Sequence, residues 1–313
     1  MTHQIQFRAM GTDMLLCVDN GSEVPPTEMA EVPLWFEAWE QTLSRFRITS
    51  ELSRLNQNSG QPVAVSETLW QIFHAALQAE RKTDGLVTPT IANAVIEIGY
   101  DRDFSELTGQ NLSPGQSAAT QVTPLEFVSW DEATRTIYMP AGAYLDFGGI
   151  AKGWAAEQVV ARIKHHGSVL MNCGGDISLS GALLDGSPWE IGVFKPFDRA
   201  SGYVEMLYLD HACGVATSAT DRRRWVQGGI LRHHIINPRT GSPAFTDVVS
   251  ATVIAPTAID AESAAKSVLI RGSQAGLAWV EDDADLAALL ILENGQFLYS
   301  QRMGKYLPLP NNG

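Results

Sequence analysis

The spacing of apolar residues along the chain predicts both helices and strands. Apolar positions at intervals of three and four residues predict helices over residues 27–45 and 66–83. Ser66, with an acidic residue just after it, is typical of a helix start. Short apolar or alternating runs predict strands at residues 14–19, 169–173, 189–194, 203–209 and 248–254.

The middle of the chain combines a hairpin with a strand-to-helix connection. Two short strands flank residues 131–136 and form a predicted hairpin. The run 144–147 is interpreted as a strand that leads through two glycines into a helix over 150–165.

The remaining segments complete a mixed architecture. A helix is predicted over 258–270, and a last hairpin joins 288–292 to 296–300 across Glu-Asn-Gly. Residues 101–125 are rich in Gly, Ser, Thr and Pro and are expected to form a surface excursion. Because helices and strands do not alternate strictly, we expect an α+β fold with mixed, largely antiparallel sheets and packed helices. Residues 1–313 are expected to form a single domain.

Composition and charge narrow the class of protein. The 313 residues are 45% hydrophobic, which is ordinary for a compact soluble protein, and the net charge of −13 disfavours non-specific binding to nucleic acid. No apolar run approaches the roughly 20 residues of a membrane span, and the first residues lack a signal-peptide pattern. Cys17, Cys173 and Cys213 are too few and too widely spaced for a disulfide framework or a zinc site. We therefore expect a cytoplasmic protein without a nucleic-acid or membrane partner.

The most informative local feature is the run Asp-Phe-Gly-Gly-Ile-Ala-Lys-Gly at residues 146–153. A helix that begins after two glycines presents free N–H groups and partial positive charge, which suit a phosphate group. Lys152 adds a full charge, and the Asp146 carboxylate can accept a hydrogen bond from a ribose or a ring N–H. The run is neither a P-loop nor the dinucleotide fingerprint. A tight turn with a solvated lysine explains it equally well at this point.

Two further segments place polar residues beside a turn. Gly174 and Gly175 follow a predicted strand, and a turn with positive φ explains them without a ligand. His233 and His234 are adjacent on a strand, so at most one of them faces a common site. That arrangement disfavours a metal pair and permits one acid–base or phosphate-contacting imidazole, although a lone histidine is more often structural.

Charged residues form two other candidate groups. Arg222, Arg223 and Arg224 offer guanidinium groups suited to bidentate phosphate recognition, or they are solvated surface charges. Glu262 and Lys266 lie at i and i+4 of a predicted helix and therefore share one face. As an exposed pair they would contribute only about 0.3–0.5 kcal/mol.

Taken together and in this order, these segments resemble the ApbE family of flavin transferases. The matching runs are Met-Gly-Thr at 10–12, Ser-Arg-Leu-Asn at 53–56, Gly-Leu-Val-Thr-Pro-Thr at 85–90, the run at 146–153, Asn-Cys-Gly-Gly-Asp-Ile at 172–177, Ala-Thr-Ser at 216–218, His-Ile-Ile-Asn-Pro-Arg-Thr-Gly at 234–241 and a helix that ends before Gly272. Each run alone is a weak signal. The ordered set spans residues 10–272 and is a strong one.

The resemblance implies an α+β domain with an FAD-binding cleft. Family members cleave the FAD pyrophosphate and transfer FMN to a Thr or Ser hydroxyl of an acceptor flavoprotein, with release of AMP and help from a divalent metal, usually Mg²⁺. The catalytic residues that it implies are His234 and Lys152. The contacts to FAD that it implies come from Met10, Leu86, Val87, Thr88, Asp146, Lys152, Gly174, Gly175 and Ile235. The metal set that it implies is the carbonyl of Gly149 with Glu262 and Lys266.

Four residues depart from the family pattern. Thr88 and Asn237 stand where the family has aspartate, so a carboxylate contact and a base are absent. Glu262 and Lys266 stand where the family has a metal-binding Asp and Thr. A protonated lysine repels a cation, and Lys266 could instead contact the phosphates and replace part of the metal's charge.

Three functional hypotheses follow from the resemblance and the departures. The first is an FAD:protein FMN transferase with weakened Mg²⁺ dependence. The alternatives are an FAD-binding protein without transfer activity, such as a flavin carrier or sensor, and an FAD pyrophosphatase that releases free FMN and AMP.

Overall fold

The computed structural model describes residues 1–107, 111–112 and 120–308. Within these ranges the α-helices are α1 (Val32–Leu43), α2 (Glu51–Gln57), α3 (Glu67–Lys82), α4 (Ala92–Glu97), α5 (Phe104–Leu107), α6 (Ala151–Ile163), α7 (Ala258–Arg271) and α8 (Ser273–Asp282). Ser50, Ser66 and Thr257 cap α2, α3 and α7, because each side chain accepts a backbone N–H of the first turn.

The strands of the described ranges are β1 (Thr2–Ala9), β2 (Thr12–Asp19), β3 (Pro62–Ala64), β4 (Asn111–Leu112), β5 (Ser129–Asp131), β6 (Thr136–Tyr138), β7 (Ser168–Cys173), β8 (Asp176–Leu179), β9 (Trp189–Phe194), β10 (Tyr203–Leu209), β11 (Cys213–Ala219), β12 (Arg224–Gln227), β13 (Ile230–His233), β14 (Ile236–Asn237), β15 (Ser242–Pro243), β16 (Val248–Ala255), β17 (Ala287–Leu292) and β18 (Phe297–Tyr299).

An eight-stranded sheet forms the centre of the fold, in the order β1-β2-β7-β8-β11-β16-β17-β18. Every neighbouring pair in it is antiparallel. Among the smaller sheets, β12 pairs in parallel with β4. The expected α+β fold with mixed, largely antiparallel sheets is therefore confirmed.

The two faces of the central sheet are covered differently. Helices α6 and α7 lie against one face, and α1 and α3 pack on α6 around Phe36, Trp39, Phe73 and Trp154. The ribbon of β9 and β10 covers the other face, where Trp189 packs with the buried residues of β7 and β8. None of the helices in the described part of the chain is long and apolar enough to cross a membrane.

Helices α6 and α7 approach each other at Gly153. A Cβ atom on Gly153 would lie 2.7 Å from the carbonyl oxygen of Ala258, so the backbones are too close for any larger residue. This close packing places the first turn of α6 beside the second turn of α7. Lys152 and Glu262 are brought together as a result.

The structure confirms most of the predicted elements and corrects one. Residues 144–147 are not a strand, because the backbone of Leu145 is hydrogen-bonded to the side chain of Asn56 and the N–H of Asp146 donates to Pro89. The predicted excursion at 101–125 is only partly described, and its residues 108–110 and 113–119 lie outside the described ranges. Several elements were not predicted from the sequence, among them strands β1 and β11 and helices α2, α4 and α8.

Candidate active site

A cleft of about 480 Å³ opens between the helical layer and the loops that follow α1 and precede α6. This volume is in the range of small-molecule and cofactor sites. The walls come from widely separated parts of the chain, including the turn after β1, the segment 86–88, the start of α6, residues 234–236 and helix α7.

One end of the cleft is aromatic. The rings of Phe46 and Tyr100 lie 5.5 Å apart between centroids, and Phe104 is next to Tyr100 at 6.5 Å. The guanidinium carbon of Arg45 lies 4.1 Å from the ring centroid of Phe46 and 4.8 Å from that of Tyr100. Flat aromatic and guanidinium surfaces of this kind suit a planar ring system.

Asp146 lies between the aromatic end and the start of α6. Its Oδ2 atom is 3.0 Å from Nε of Arg45, and Oδ1 accepts the backbone N–H of Gly148 at 2.7 Å. The two paired side chains are only 8% and 14% exposed. Asp146 therefore fixes the turn that leads into α6, and its carboxylate is held at the cleft wall.

The floor of the cleft carries a buried charge cluster. Nζ of Lys152 lies 3.0 Å from Oε1 of Glu262 and also contacts the carboxylate of Asp176. Nζ of Lys266 lies 3.0 Å from the same Oε1 atom, and the N–H of Gly153 donates to Oε2 at 2.8 Å. The Glu262 side chain is fully buried, and each of its two oxygens accepts at least one hydrogen bond.

The protonation of this cluster follows from burial and from the neighbouring charges. Burial lowers the pKa of Lys152 to about 8, with Glu262 opposing that shift and Lys266 and Arg223 adding to it. Burial by itself would raise the pKa of Glu262, but the ammonium groups of Lys152 and Lys266 hold it below its ordinary value. Glu262 is therefore an anion at neutral pH, and Lys152 is a cation below about pH 8.

The expected metal set of Gly149, Glu262 and Lys266 comes together in space, but it does not fit a divalent cation. Both oxygens of Glu262 already accept hydrogen bonds. Oε1 accepts from the two ammonium groups, and Oε2 accepts from a backbone N–H. A dication about 4 Å from one ammonium would be repelled by about 8 kcal/mol at an effective dielectric constant near 20. The positive charge beside Glu262 is therefore supplied by the side chains of Lys152 and Lys266.

His234 lines the cleft and His233 does not, so one of the two histidines faces the site as expected. The reason differs from the predicted one, because β13 ends at His233 and His234 lies in the bend that follows. Nε2 of His233 lies 2.9 Å from the carbonyl oxygen of Ala244. Nδ1 of His234 is buried and has no hydrogen-bond partner among the described residues. Burial lowers the pKa of His234 well below its ordinary value, and the nearby cation Arg223 lowers it further. His234 is therefore a neutral imidazole with an unused nitrogen.

The other predicted contacts to FAD fall into two groups. Met10, Leu86, Val87, Thr88, Ile235 and the start of α6 line the cleft. Met10 adopts a positive φ of 48°, and its N–H donates to Oε1 of Glu40 at 3.0 Å, so the turn after β1 is held against α1. Thr88 is tied to Thr90, with 2.9 Å between the two hydroxyl oxygens.

Gly174 and Gly175 are not among the residues that line the cleft. They form the turn between β7 and β8 with φ values of 67° and 106°, so the backbone conformation of the turn explains both glycines without a ligand. The turn acts on the site indirectly, because it brings Asp176 against Lys152.

Among the three adjacent arginines, Arg223 alone is a wall residue of the described cleft. Arg224 instead lies over the ring of Phe197, with 5.3 Å between the guanidinium carbon and the centroid. Asn237 accepts the N–H of Arg239 in a turn and is not a wall residue. Thr217 pairs with Thr252 across β11 and β16 and is also not a wall residue.

Arg45, Phe46 and Tyr100 were not predicted from the sequence. They occur in loops without a recognisable motif, and only the packing of the helices brings them to Asp146. The single available signal was the combination of a basic and an aromatic residue directly after α1.

The chain is similar to known proteins in both sequence and structure. The family model described as "ApbE family" matches residues 10–290. An FAD:protein FMN transferase of Vibrio cholerae is 30% identical over 262 residues, which are 82% of this chain and 76% of that protein. Another from Klebsiella pneumoniae is 27% identical over 310 residues and covers 96% and 92% of the two chains.

Two solved structures have the same fold along nearly their whole length. The ApbE protein from Thermotoga maritima superposes with a TM-score of 0.86 at 24% identity, over 99% of this chain and 100% of that one. The flavin transferase ApbE from Vibrio cholerae superposes with a TM-score of 0.81 at 25% identity, over 98% and 99% of the two chains.

Proposed function

The chain belongs to the ApbE family, and from that premise we propose that it is an FAD:protein FMN transferase. Its donor is FAD, and its acceptor is a flavoprotein that is modified on a Thr or Ser hydroxyl. The observation that carries the proposal is the polarity of the cleft, which has aromatic side chains at one end and ammonium and guanidinium groups on its floor. FAD has the same division between flat rings and a charged pyrophosphate.

In the proposed step the acceptor hydroxyl oxygen attacks the phosphorus of the FMN half of FAD. The new O–P bond forms while the bond from this phosphorus to the bridging oxygen breaks. AMP leaves with that oxygen and its electron pair, and the hydroxyl proton passes to the neutral imidazole of His234. Lys152 and Arg223 offset negative charge on the phosphoryl oxygens.

The remaining cleft residues bind and orient the donor. Leu86, Val87 and Ile235 supply apolar contacts, Met10 and Thr88 frame the same wall, and Asp146 holds the turn into α6. In this proposal Gly174 and Gly175 act through the position of Asp176 rather than through a direct contact. No step is assigned to Mg²⁺, because the charge cluster does not fit a dication.

We also propose that residues 1–313 act as one domain. The central sheet takes β1 from the start of the chain and β18 from near its end, and the cleft uses segments from both halves. A cytoplasmic place of action is part of the proposal. It is supported by three buried, unpaired cysteines, which fit a reducing compartment.

The test is incubation of the purified protein with FAD and the acceptor flavoprotein, followed by intact-mass measurement of the acceptor and assay of AMP. We expect a gain of one FMN on the acceptor and an equal amount of AMP. An acceptor with its target Thr or Ser changed to Ala is the matched control and should gain nothing. Free FMN and AMP without acceptor modification would indicate the pyrophosphatase instead. Bound FAD without turnover would indicate the flavin-binding alternative, and either result would overturn the proposal.

A further inference from the structure

Helix α7 places a lysine where it faces both a buried carboxylate and the open cleft. Glu262 and Lys266 are one helical turn apart, and their side chains are 0% and 16% exposed. Nζ of Lys266 donates to Oε1 of Glu262, and this is its one hydrogen bond to the described residues. An ammonium group has three protons, so donor capacity remains on the cleft side.

The surroundings of Lys266 are those of a phosphate site. Its alkyl chain passes Gly149 at the start of α6, where Cδ lies 3.9 Å from the position that a Cβ would take. Arg223, Lys152 and His234 also line the cleft, and Arg223 and Lys266 are close enough to lower the pKa of both Lys152 and His234. These donors converge next to the helix N-terminus, which favours an anion.

Glu262 has no free oxygen to offer a metal. Its carboxylate accepts hydrogen bonds from Lys152, Lys266 and the N–H of Gly153. The space beside Oε1, where a metal ion would lie, is taken by the two ammonium groups. Asp176 is likewise held by Lys152. The cluster is complete in itself, with two carboxylates and two ammonium groups.

We propose that Lys266 is a tethered cation that contacts the FAD pyrophosphate in place of a divalent metal, so that FAD binding and FMN transfer proceed without metal ions. This inference rests on the proposed function. The bonds made and broken are those given above, and Lys266 donates hydrogen bonds to the phosphoryl oxygens while keeping its proton. A lysine that served only to balance Glu262 would not change the binding of phosphate groups.

The first experiment measures FAD affinity in EDTA, by flavin fluorescence, for the wild type and for three variants. Lys266→Thr should weaken FAD binding by at least about tenfold, the usual effect of losing one charged hydrogen bond. Lys266→Arg keeps the charge and should bind FAD within about threefold of the wild type. Lys164→Thr, an exposed lysine outside the cleft, is the matched control and should not change the affinity.

Riboflavin, which has no phosphate, separates a direct contact from a change in folding. Its affinity should be the same in the wild type and in Lys266→Thr. An equal loss of affinity for riboflavin and FAD in that variant would contradict a phosphate contact.

The second experiment measures metal uptake by titration calorimetry with MgCl₂ and transfer in EDTA. The wild type should take up no Mg²⁺ and should transfer FMN equally well in EDTA and in Mg²⁺. Lys266→Thr should gain Mg²⁺ binding, because the variant loses an ammonium and gains a hydroxyl beside Glu262.

Mg²⁺ uptake by the wild type, or transfer that stops in EDTA, would overturn the inference while leaving the transferase function intact. Metal-independent FAD binding with no transfer in either buffer would overturn the function and leave the phosphate contact standing.

Discussion

Nζ of Lys152 lies 3.0 Å from Oε1 of Glu262, although the two residues are separated by 110 positions in the chain. The contact joins the first turn of α6 to the second turn of α7 at a point where Glu262 is fully buried. Transfer of a carboxylate from water to the protein interior costs desolvation free energy. Here two ammonium groups and a backbone N–H offset that cost. The site and the packing of the two helices therefore depend on the same residue.

Glu262→Gln should strongly destabilise the fold. The amide retains the shape of the side chain but leaves Lys152 and Lys266 without their shared charge partner, and such a loss costs about 3–5 kcal/mol. Urea unfolding followed by circular dichroism measures the difference. Glu23 is exposed, and Glu23→Gln is the matched control. It should change the free energy of unfolding by less than about 0.5 kcal/mol.

The double variant Glu262→Gln with Lys266→Met should recover part of that loss. Lys152 keeps Asp176 as a partner, so Lys266 is the ammonium group left without a carboxylate, and the second substitution removes it. Equal stability of the single and double variants would argue against electrostatic coupling between these residues.

His234→Ala should abolish transfer while FAD remains bound. The imidazole lines the cleft and has an unpartnered buried Nδ1 atom, so its proposed part is to accept the acceptor's proton rather than to hold the donor. Loss of a general base typically slows a reaction by about 10²–10⁴-fold. Transfer is read by intact mass and FAD binding by fluorescence. His211→Ala, at an exposed position outside the cleft, should behave as the wild type.

Unchanged transfer by His234→Ala would show that this histidine is neither the base nor a contact in the transition state. Loss of FAD binding together with transfer would assign His234 to donor binding instead.

The pH dependence of transfer should differ between the free enzyme and the FAD complex. In the free enzyme, burial and the charges of Arg223, Lys266, His233 and Lys152 hold the pKa of His234 well below 6.5. A base is active above its pKa, so kcat/KM should stay flat down to pH 6.5 and fall only well below it. The negative charge of bound FAD offsets these cations and raises that pKa. The acid limb of kcat should therefore lie at a higher pH than that of kcat/KM, and coincident limbs would contradict this account.

The sequence predicted the central elements of the site better than its rim. Helices α6 and α7 are apolar enough on one side to be recognised, and Lys152, His234 and Glu262 occur in runs that resemble a family pattern. Arg45 occurs in no such run, and it reaches Asp146 only through the packing of α1 on β1 and α6. Strand β11 is buried along most of its length and rich in small residues, so it lacks the alternation that identifies a strand with one exposed face.

Asp146→Asn should weaken FAD binding and lower stability. The substitution removes the negative charge that lies 3.0 Å from Nε of Arg45. The NH₂ group of the new amide would also face a donor, because one carboxylate oxygen faces Arg45 and the other accepts the N–H of Gly148. For this poorly exposed pair we expect a loss of about 1–3 kcal/mol, measured by thermal unfolding. The exposed pair Arg8–Asp13 is the matched control, and Asp13→Asn should cost less than about 1 kcal/mol. Equal effects of the two substitutions would mean that Asp146 has no special part in the turn before α6.

Gly153→Ala tests whether the close approach of α6 and α7 sets the geometry of the charge cluster. The new Cβ would lie 2.7 Å from the carbonyl oxygen of Ala258, so the helices must separate and the N–H of Gly153 must move away from Glu262. Overpacking of this kind costs about 1–3 kcal/mol, and we expect FAD affinity to fall with stability. Gly304→Ala, where a Cβ would meet nothing within 4 Å among the described residues, should leave both unchanged. A stable Gly153→Ala protein with normal FAD binding would separate the helix contact from the site, whereas a joint loss would link the two.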